Sequence, residues 1–188
     1  MNKQAETRRM ALHALKTPIP ADLLKEPVEF IFADHFRQRT LCSVIDGIAE
    51  AEVIDKEPLE AVLQFLKSDF GFHILDEEED LFPLLRKRAE SGDEIEEVLD
   101  KMCEEHTSDK VDASEIIDLL DQVKSSVTNN RIDRKTAGLL KRFAANERLH
   151  LIVENAIVLP FARKRLTDAD MLHLGKQMAE RRGVELKF

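Results

Sequence analysis

The chain has 188 residues, 43% of them hydrophobic and 35% charged, with few glycines and prolines: the profile of a helix-rich chain able to bury a sizeable core. Its formal charge of -9 sets it against a nucleic-acid partner, whose phosphate backbone asks for a positive surface. No apolar run approaches the length of a bilayer span and no hydrophobic signal core stands at the N-terminus, so no membrane association and a cytoplasmic location are expected.

In chain order, residues 1–26, with Pro18 and Pro20, read as an N-terminal arm with room for one short helix. A first long helix opens at Pro27, a residue suited to the first helical turn, and runs to about Ala51 with Val28, Ile31, His35, Cys42 and Ile45 on one stripe. A second opens at Glu57-Pro58 and carries Val62, Leu66, Phe70, His73, Glu77, Leu81 and Leu84 until Ser91-Gly92 breaks it. A third starts near Asp93, read as its N-cap, with Ile95, Val98, Leu99, Met102 and His106, and is expected to loosen over Thr107–Ala113. The polar stretch Ser125–Asn130 reads as a turn. A fourth helix begins near Ile132-Asp133 and shows Leu139, Phe143, His150, Glu154, Ile157 and Phe161. A last helix is capped by Thr167-Asp168 and carries Met171, Leu172, Leu174 and Met178.

The expected fold is therefore all-α: a single domain over 1–188, built as an up-down four-helix bundle over about 27–166, with the arm before it and a C-terminal helix over 167–188. The basic runs Arg163-Lys164-Arg165 and Arg181-Arg182 fall near helix C-termini, where cations complement the helix dipole. Cys42 and Cys103 stand at different levels of their helices and are expected to remain unpaired core thiols. His13 and His173 fit no repeat and read as surface or packing residues.

One pattern is written twice. His73-Ile-Leu-Asp-Glu77 runs on to Pro83, and His150-Leu-Ile-Val-Glu154 runs on to Pro160; a lone histidine, His35 or His106, precedes each copy. Four residues bring a histidine and a glutamate onto one helix face, where both reach one ion. Each proline lies inside a helical pattern and is expected to kink its helix at the same turn of a duplicated hairpin.

A lone histidine on an apolar stripe is most simply a satisfied core residue. Four of them with two carboxylates, and no Lys or Arg on the same stripes, ask instead for divalent cations. The run Glu77-Glu78-Glu79-Asp80 leaves the first glutamate ambiguous, and the repeat decides it: position plus four is Glu in both copies, whereas plus five is Glu78 in one and Asn155 in the other. The candidate ligands are His35, His73, Glu77, His106, His150 and Glu154, with Glu78, Glu79 and Asp80 solvated or in support. Two bridging carboxylates and four imidazoles would give each of two ions four protein bonds, a donor set suited to iron, with manganese or zinc as substitutes. Glu147 stands one turn before His150, where the other copy has Phe70. It is expected to turn to solvent or to hold the histidine by a hydrogen bond, direct ligation being the alternative.

The order of these six residues resembles the hemerythrin-like HHE cation-binding family, over about residues 27–166. The resemblance implies a non-haem di-iron centre, oxo- or hydroxo-bridged, in which Glu77 and Glu154 bridge. Oxygen-carrying members have His-xxx-His on the third helix and an Asp five after the last His. Here those positions are Lys110 and Asn155, which speaks against a reversible oxygen carrier. The family's iron-centre repair proteins share the ligand set but add a short Cys-bearing N-terminal domain that this chain is not expected to carry. Ferritin-type sites need Glu-xx-His twice, and only Glu147-Arg-Leu-His150 fits.

Three functional readings stay open: a module that senses or holds dioxygen or nitric oxide, a redox enzyme acting on peroxide or nitric oxide, and a protein that stores or donates iron. A sensing or oxidative and nitrosative stress role is the leading expectation. With no Tyr or Trp in the chain, radical relay and hydrocarbon oxidation are disfavoured.

Overall fold

Between its sparse prolines and glycines this sequence closes its backbone bonds locally, and the described residues form helices and no strand. A computed structural model describes residues 3–126 and 131–187. The helices are α1 (Lys3–Lys16), α2 (Pro27–Glu50), α3 (Lys56–Lys67), α4 (Asp69–Leu75), α5 (Phe82–Arg88), α6 (Ile95–Ser125), α7 (Arg134–Val153), α8 (Leu159–Arg165) and α9 (Asp168–Arg181). A tight 3-10 turn, Ala21–Lys25, leads into α2. Two wide turns of the π type, Asp76–Leu81 and Glu154–Val158, join α4 to α5 and α7 to α8. From 127 to 130 the turn expected over Ser125–Asn130 lies outside the described residues.

Several boundaries differ from the sequence expectation for identifiable reasons. The second long helix is interrupted at Ser68, whose backbone leaves the helical region and whose Oγ donates to the Gln64 carbonyl at 2.7 Å. The third does not loosen over Thr107–Ala113: α6 runs through it, because Asp109, Ala113, Ile116 and Leu120 continue the buried stripe of His106. Asp93 does not cap α6. Its carboxylate accepts from the Glu90 backbone N–H at 2.8 Å and pairs with Arg165 at 2.6 Å, closing a turn in which Gly92 takes a φ of 95°. Asp133 does cap α7, accepting from the Thr136 N–H at 2.7 Å.

The wide turns replace the expected proline kinks. Pro83 and Pro160 both stand in the first turn of the helix that follows one, where a missing N–H costs little. A turn closed from i to i+5 holds one residue more than an α turn, so the buried stripe steps on by one behind it. Leu85 is buried where Leu84 was expected, and Val158 and Ala162 take the places of Ile157 and Phe161. Ile157 is 44% exposed. The two copies share this shift, which marks them as one local design used twice.

The residues fall into two compact units. One comprises the chain as far as Pro18 with Phe36–Phe70 and Thr107–Leu149. In it Phe70 meets the Phe143 ring edge-on at 5.8 Å, while Arg37 lies 4.9 Å over Phe65 and pairs with Asp69. The other comprises Ile19–His35, Gly71–His106 and the chain from His150. Its core includes Leu24, Ile31, Phe82, Leu99, Leu159 and Met178. Within this second unit α9 begins with a reciprocal cap, Thr167 Oγ1 accepting from the Asp170 N–H and Asp170 accepting from the Thr167 N–H. Among the described residues no helix is long and apolar enough to cross a membrane.

The cap gives a direct check on how α9 is fixed. Thr167→Ala should lower stability by about 1 kcal/mol, and Thr167→Ser by much less, as measured by urea denaturation. An unchanged midpoint in the alanine variant would show that the cap contributes nothing.

Candidate metal centre

Each of the six repeated residues is delivered by its own stretch of helix or wide turn. His35 comes from α2, His73 from α4, His106 from α6 and His150 from α7, whereas Glu77 and Glu154 sit in the two wide turns. All six belong to the second unit, and none is more than 4% exposed. Burial of so many ionisable groups costs free energy unless something binds or pairs them.

Their inner atoms converge. Glu77 lies 3.5 Å from His35 Nε2, 3.4 Å from His73 Nε2 and 3.3 Å from His106 Nε2. Glu154 lies 3.4 Å from His35 Nε2, 3.9 Å from His106 Nε2 and 3.0 Å from His150 Nε2. The rings associate in pairs, His35 with His73 at 5.1 Å between centroids and His106 with His150 at 4.7 Å. Two groups able to hold an ion follow: His35, His73, Glu77 and Glu154 in one, and Glu77, His106, His150 and Glu154 in the other. In each, the candidate ligand atoms all lie within 4.8 Å of one another. Both glutamates belong to both groups.

The donor set fits a pair of cations. The Nε2 atoms of His35, His73 and His106 and all four oxygens of Glu77 and Glu154 are buried with no hydrogen-bond partner among the described residues. Imidazole nitrogen with carboxylate oxygen is a set for iron, manganese or zinc, and it contains no thiolate. Cys42 is buried and Cys103 half-buried, and neither is in a disulfide among the described residues.

On the far side of each ring, Nδ1 meets an oxygen. His35 Nδ1 is 3.1 Å from Asn155 Oδ1, His73 Nδ1 is 3.4 Å from Asp34, His106 Nδ1 is 3.1 Å from Glu78, and His150 Nδ1 is 2.9 Å from Glu105. A carboxylate only accepts, and Asn155 already donates its amide to the Leu151 carbonyl at 2.7 Å. In the neutral imidazole Nδ1 therefore carries the proton and Nε2 presents its lone pair inward, the tautomer a metal requires. The arrangement repeats with the sequence: the residue before each lone histidine (Asp34, Glu105) holds the ring of its HisxxxGlu partner. The residue after each glutamate (Glu78, Asn155) holds the lone histidine of the other copy. Sequence reasoning named Glu78 as a supporting group but missed Asp34, Glu105 and the part played by Asn155. The signal was available in the repeat, as an acidic residue before both lone histidines.

Electrostatics reflect the crowding. Burial drives His73 down to about 3 against the pull of Glu77. Burial also lowers His35, but the close approach of Glu77 and the negative charges of Glu154 and Glu77 outweigh it and raise this imidazole to about 9. Burial raises Glu154, and the negative charge of Glu77 raises it further. Glu77 is raised by its own burial, yet the imidazoles of His73, His106 and His35 bring it well below the ordinary carboxylate range. The cage thus draws positive charge to itself.

The remaining candidates fall outside both groups. Glu147 is 2% exposed, which overturns the expectation that it turns to solvent. It lies in the other unit, where burial and then its charge push the Cys42 thiol up. His13 and His173 are exposed, as expected. Asp80 is nearly buried rather than solvated and pairs with Arg181 at 2.7 Å. Phe82 lies parallel to the His106 ring at 6.0 Å and closes that side with an apolar face.

Comparison with curated proteins gives no match. A family model described as the hemerythrin HHE cation binding domain matches residues 26–162, a stretch that contains all six converging residues. With most of its length so matched, the chain belongs to the hemerythrin HHE cation-binding family.

Proposed function

We propose that this protein holds two iron ions side by side, bridged by Glu77 and Glu154, and uses them to bind or react with a small ligand such as dioxygen, nitric oxide or peroxide. The observation that carries this reading is the sharing of both buried glutamates by two groups of donors, each with its own histidine pair. One ion takes His35 and His73, and the other takes His106 and His150. Each receives four protein bonds, which leaves room on a six-coordinate metal for exogenous ligands. When bound, iron supplies electron transfer and exchangeable positions. The chain's own residues fix four imidazoles by their Nδ1 partners, would place two anions between the cations and exclude water on one side with Phe82.

Within the unit that carries the site, ion pairs and hydrogen bonds support an up-down arrangement of the four histidine-bearing segments. Glu29 with Arg163 and His35 with Asn155 are the contacts expected of α2 running antiparallel to α8 and its preceding turn. Arg86 with Asp100 and Glu78 with His106 are the same for α5 and α6, as are Asp93 with Arg165 and Glu105 with His150 for α6 and the last pair. Asn155, engaged with His35, argues for a centre other than the oxygen-carrying type. Restrained chemistry suits a chain with no Tyr or Trp to relay a radical, and a cytoplasmic role in sensing or in oxidative and nitrosative stress accords with it. Iron-loaded protein assayed for turnover of peroxide and of nitric oxide separates a sensor, which binds without turnover, from an enzyme.

Two predictions test the centre. Protein loaded anaerobically with ferrous iron should hold about two ions per chain, because eight protein bonds are too many for one. Free metal at about 100 times its Kd should then add about 2.7 kcal/mol of stability. One ion per chain, or an apo form with an unchanged Tm, would overturn the two-ion reading.

The bridging roles are tested separately. Glu77→Gln and Glu154→Gln should each weaken both ions by more than the ~10–100-fold typical of losing a supporting partner, since each carboxylate serves two metals. His35→Ala should chiefly weaken one, leaving a mononuclear signal in Mössbauer spectra. An intact coupled pair in both glutamate variants would remove the bridging assignment and leave the histidine ligands standing.

A further inference from the structure

The two copies of the motif agree at their ligands but not around them. In the first wide turn Glu77 is flanked by Asp76, Glu79 and Asp80; the corresponding positions around Glu154 are Val153, Ala156 and Ile157. Acidic residues crowded beside an already anionic site are unfavourable unless a cation answers them. The cations come from the end of α9 and the residue that caps it, beyond the 26–162 stretch matched by the family.

Asp76 is 1% exposed. Arg181 Nη1 donates to its Oδ1, and Arg182 donates to both its oxygens, Nη1 reaching Oδ1 at 3.0 Å. The other nitrogen of Arg181 lies 2.7 Å from Asp80 and 3.5 Å from Glu79. One guanidinium thus spans the wide turn from its first residue to its fifth, with Glu77 between. Arg182 is held in turn: its guanidinium lies 4.9 Å over Phe30 and 5.3 Å over Phe72, and Nη1 also donates to the Met178 carbonyl. The backbone beneath is fixed by a helix-ending motif in which Gly183, at φ 64°, donates to the Glu180 carbonyl and Val184 donates to that of Ala179. Of the side chains in this chain of contacts Glu79 is exposed, and the others are buried or half-buried.

We propose that Arg181 and Arg182, acting through Asp76 and Asp80, are positioning residues for Glu77, so that α9 sets the geometry of one bridging carboxylate. This rests on the two-ion reading above. A wide turn is a rare conformation, found mostly as a single turn inside an α-helix, and an outside constraint helps to keep it in one form. At Glu77 the arginine pair supplies that constraint. The turn carrying Glu154 has apolar residues at the same positions and relies on burial of Val158 and Leu159. The two bridges are held by different means, and only one is tied to the C-terminal helix.

Arg88 provides the control. It also anchors α9, through two bonds to Asp170 at 2.7 and 2.9 Å, but forms no hydrogen bond or ion pair with the wide turn among the described residues. Ferrous iron alone is titrated anaerobically into the full chain against a competing chelator, and the loaded protein is examined by Mössbauer spectroscopy. Arg181→Ala/Arg182→Ala should weaken iron binding by roughly tenfold and alter the spectrum, as loss of a supporting partner does elsewhere. Arg88→Ala should keep the wild-type affinity and spectrum. If the double variant does not fold, Asp76→Asn, which retains size and removes the charge, carries the same expectation. Wild-type affinity and spectrum in the double variant, or in Asp76→Asn where that variant decides, would overturn the proposal. So would an equal loss in Arg88→Ala, which would mean that α9 matters only by being docked. A wild-type protein that fails to take two ions would instead defeat the underlying reading, whatever the variants do.

Discussion

Two carboxylates with no exposed surface face four imidazole nitrogens in one small volume, and the rest of this unit is organised around that charge. Uncompensated, each buried anion costs several kcal/mol. Three of the inner imidazole nitrogens and every glutamate oxygen lack a hydrogen bond among the described residues, while the outer nitrogens face an oxygen. The interior is therefore polar in a directional way: in the neutral imidazoles, protons point outward and lone pairs inward. An apolar core with a few stray histidines would show no such polarity.

Local backbone geometry follows from the same demand. A histidine and a glutamate four apart meet at one level of an ordinary α-helix, but the helix must then continue into apolar core. The wide turn at each glutamate supplies one extra residue, so that Leu81 and Leu85 in one copy and Val158 and Ala162 in the other are buried behind the ligand. The prolines that follow, Pro83 and Pro160, begin a new helix where an N–H is dispensable.

What could be read from the sequence was what periodicity and repetition encode. Spacing placed His73 with Glu77 and His150 with Glu154, and repetition chose Glu77 over Glu78, a choice consistent with Glu78 lying on His106 Nδ1 instead. The limits of α2 and the cap of α9 were legible because Pro27 and Thr167 are strong local signals. The wide turns were not: a proline inside a helical pattern signals a disturbance, and nothing local distinguishes a kink from an added residue. The continuity of α6 past His106 was hidden because its stripe there includes Asp109 and a small residue, Ala113, which carry little hydrophobic signal. Arg181 and Arg182 looked like dipole-complementing cations, since their partner Asp76 lies more than a hundred residues away in sequence.

The centre is nearly two-fold in its ligands and unequal in its supports. Asn155, neutral, holds His35 where Glu78 holds His106, and arginines brace one wide turn only. Both differences fall at positions of the repeated motif that lie outside the two donor groups. The most direct test of the central claim is anomalous X-ray diffraction at the iron edge from crystals of iron-loaded protein. The expected result is two peaks within about 4 Å of each other. One should be bounded by His35 and His73, the other by His106 and His150, with Glu77 and Glu154 touching both. A single peak, or two peaks that share no glutamate, would contradict it.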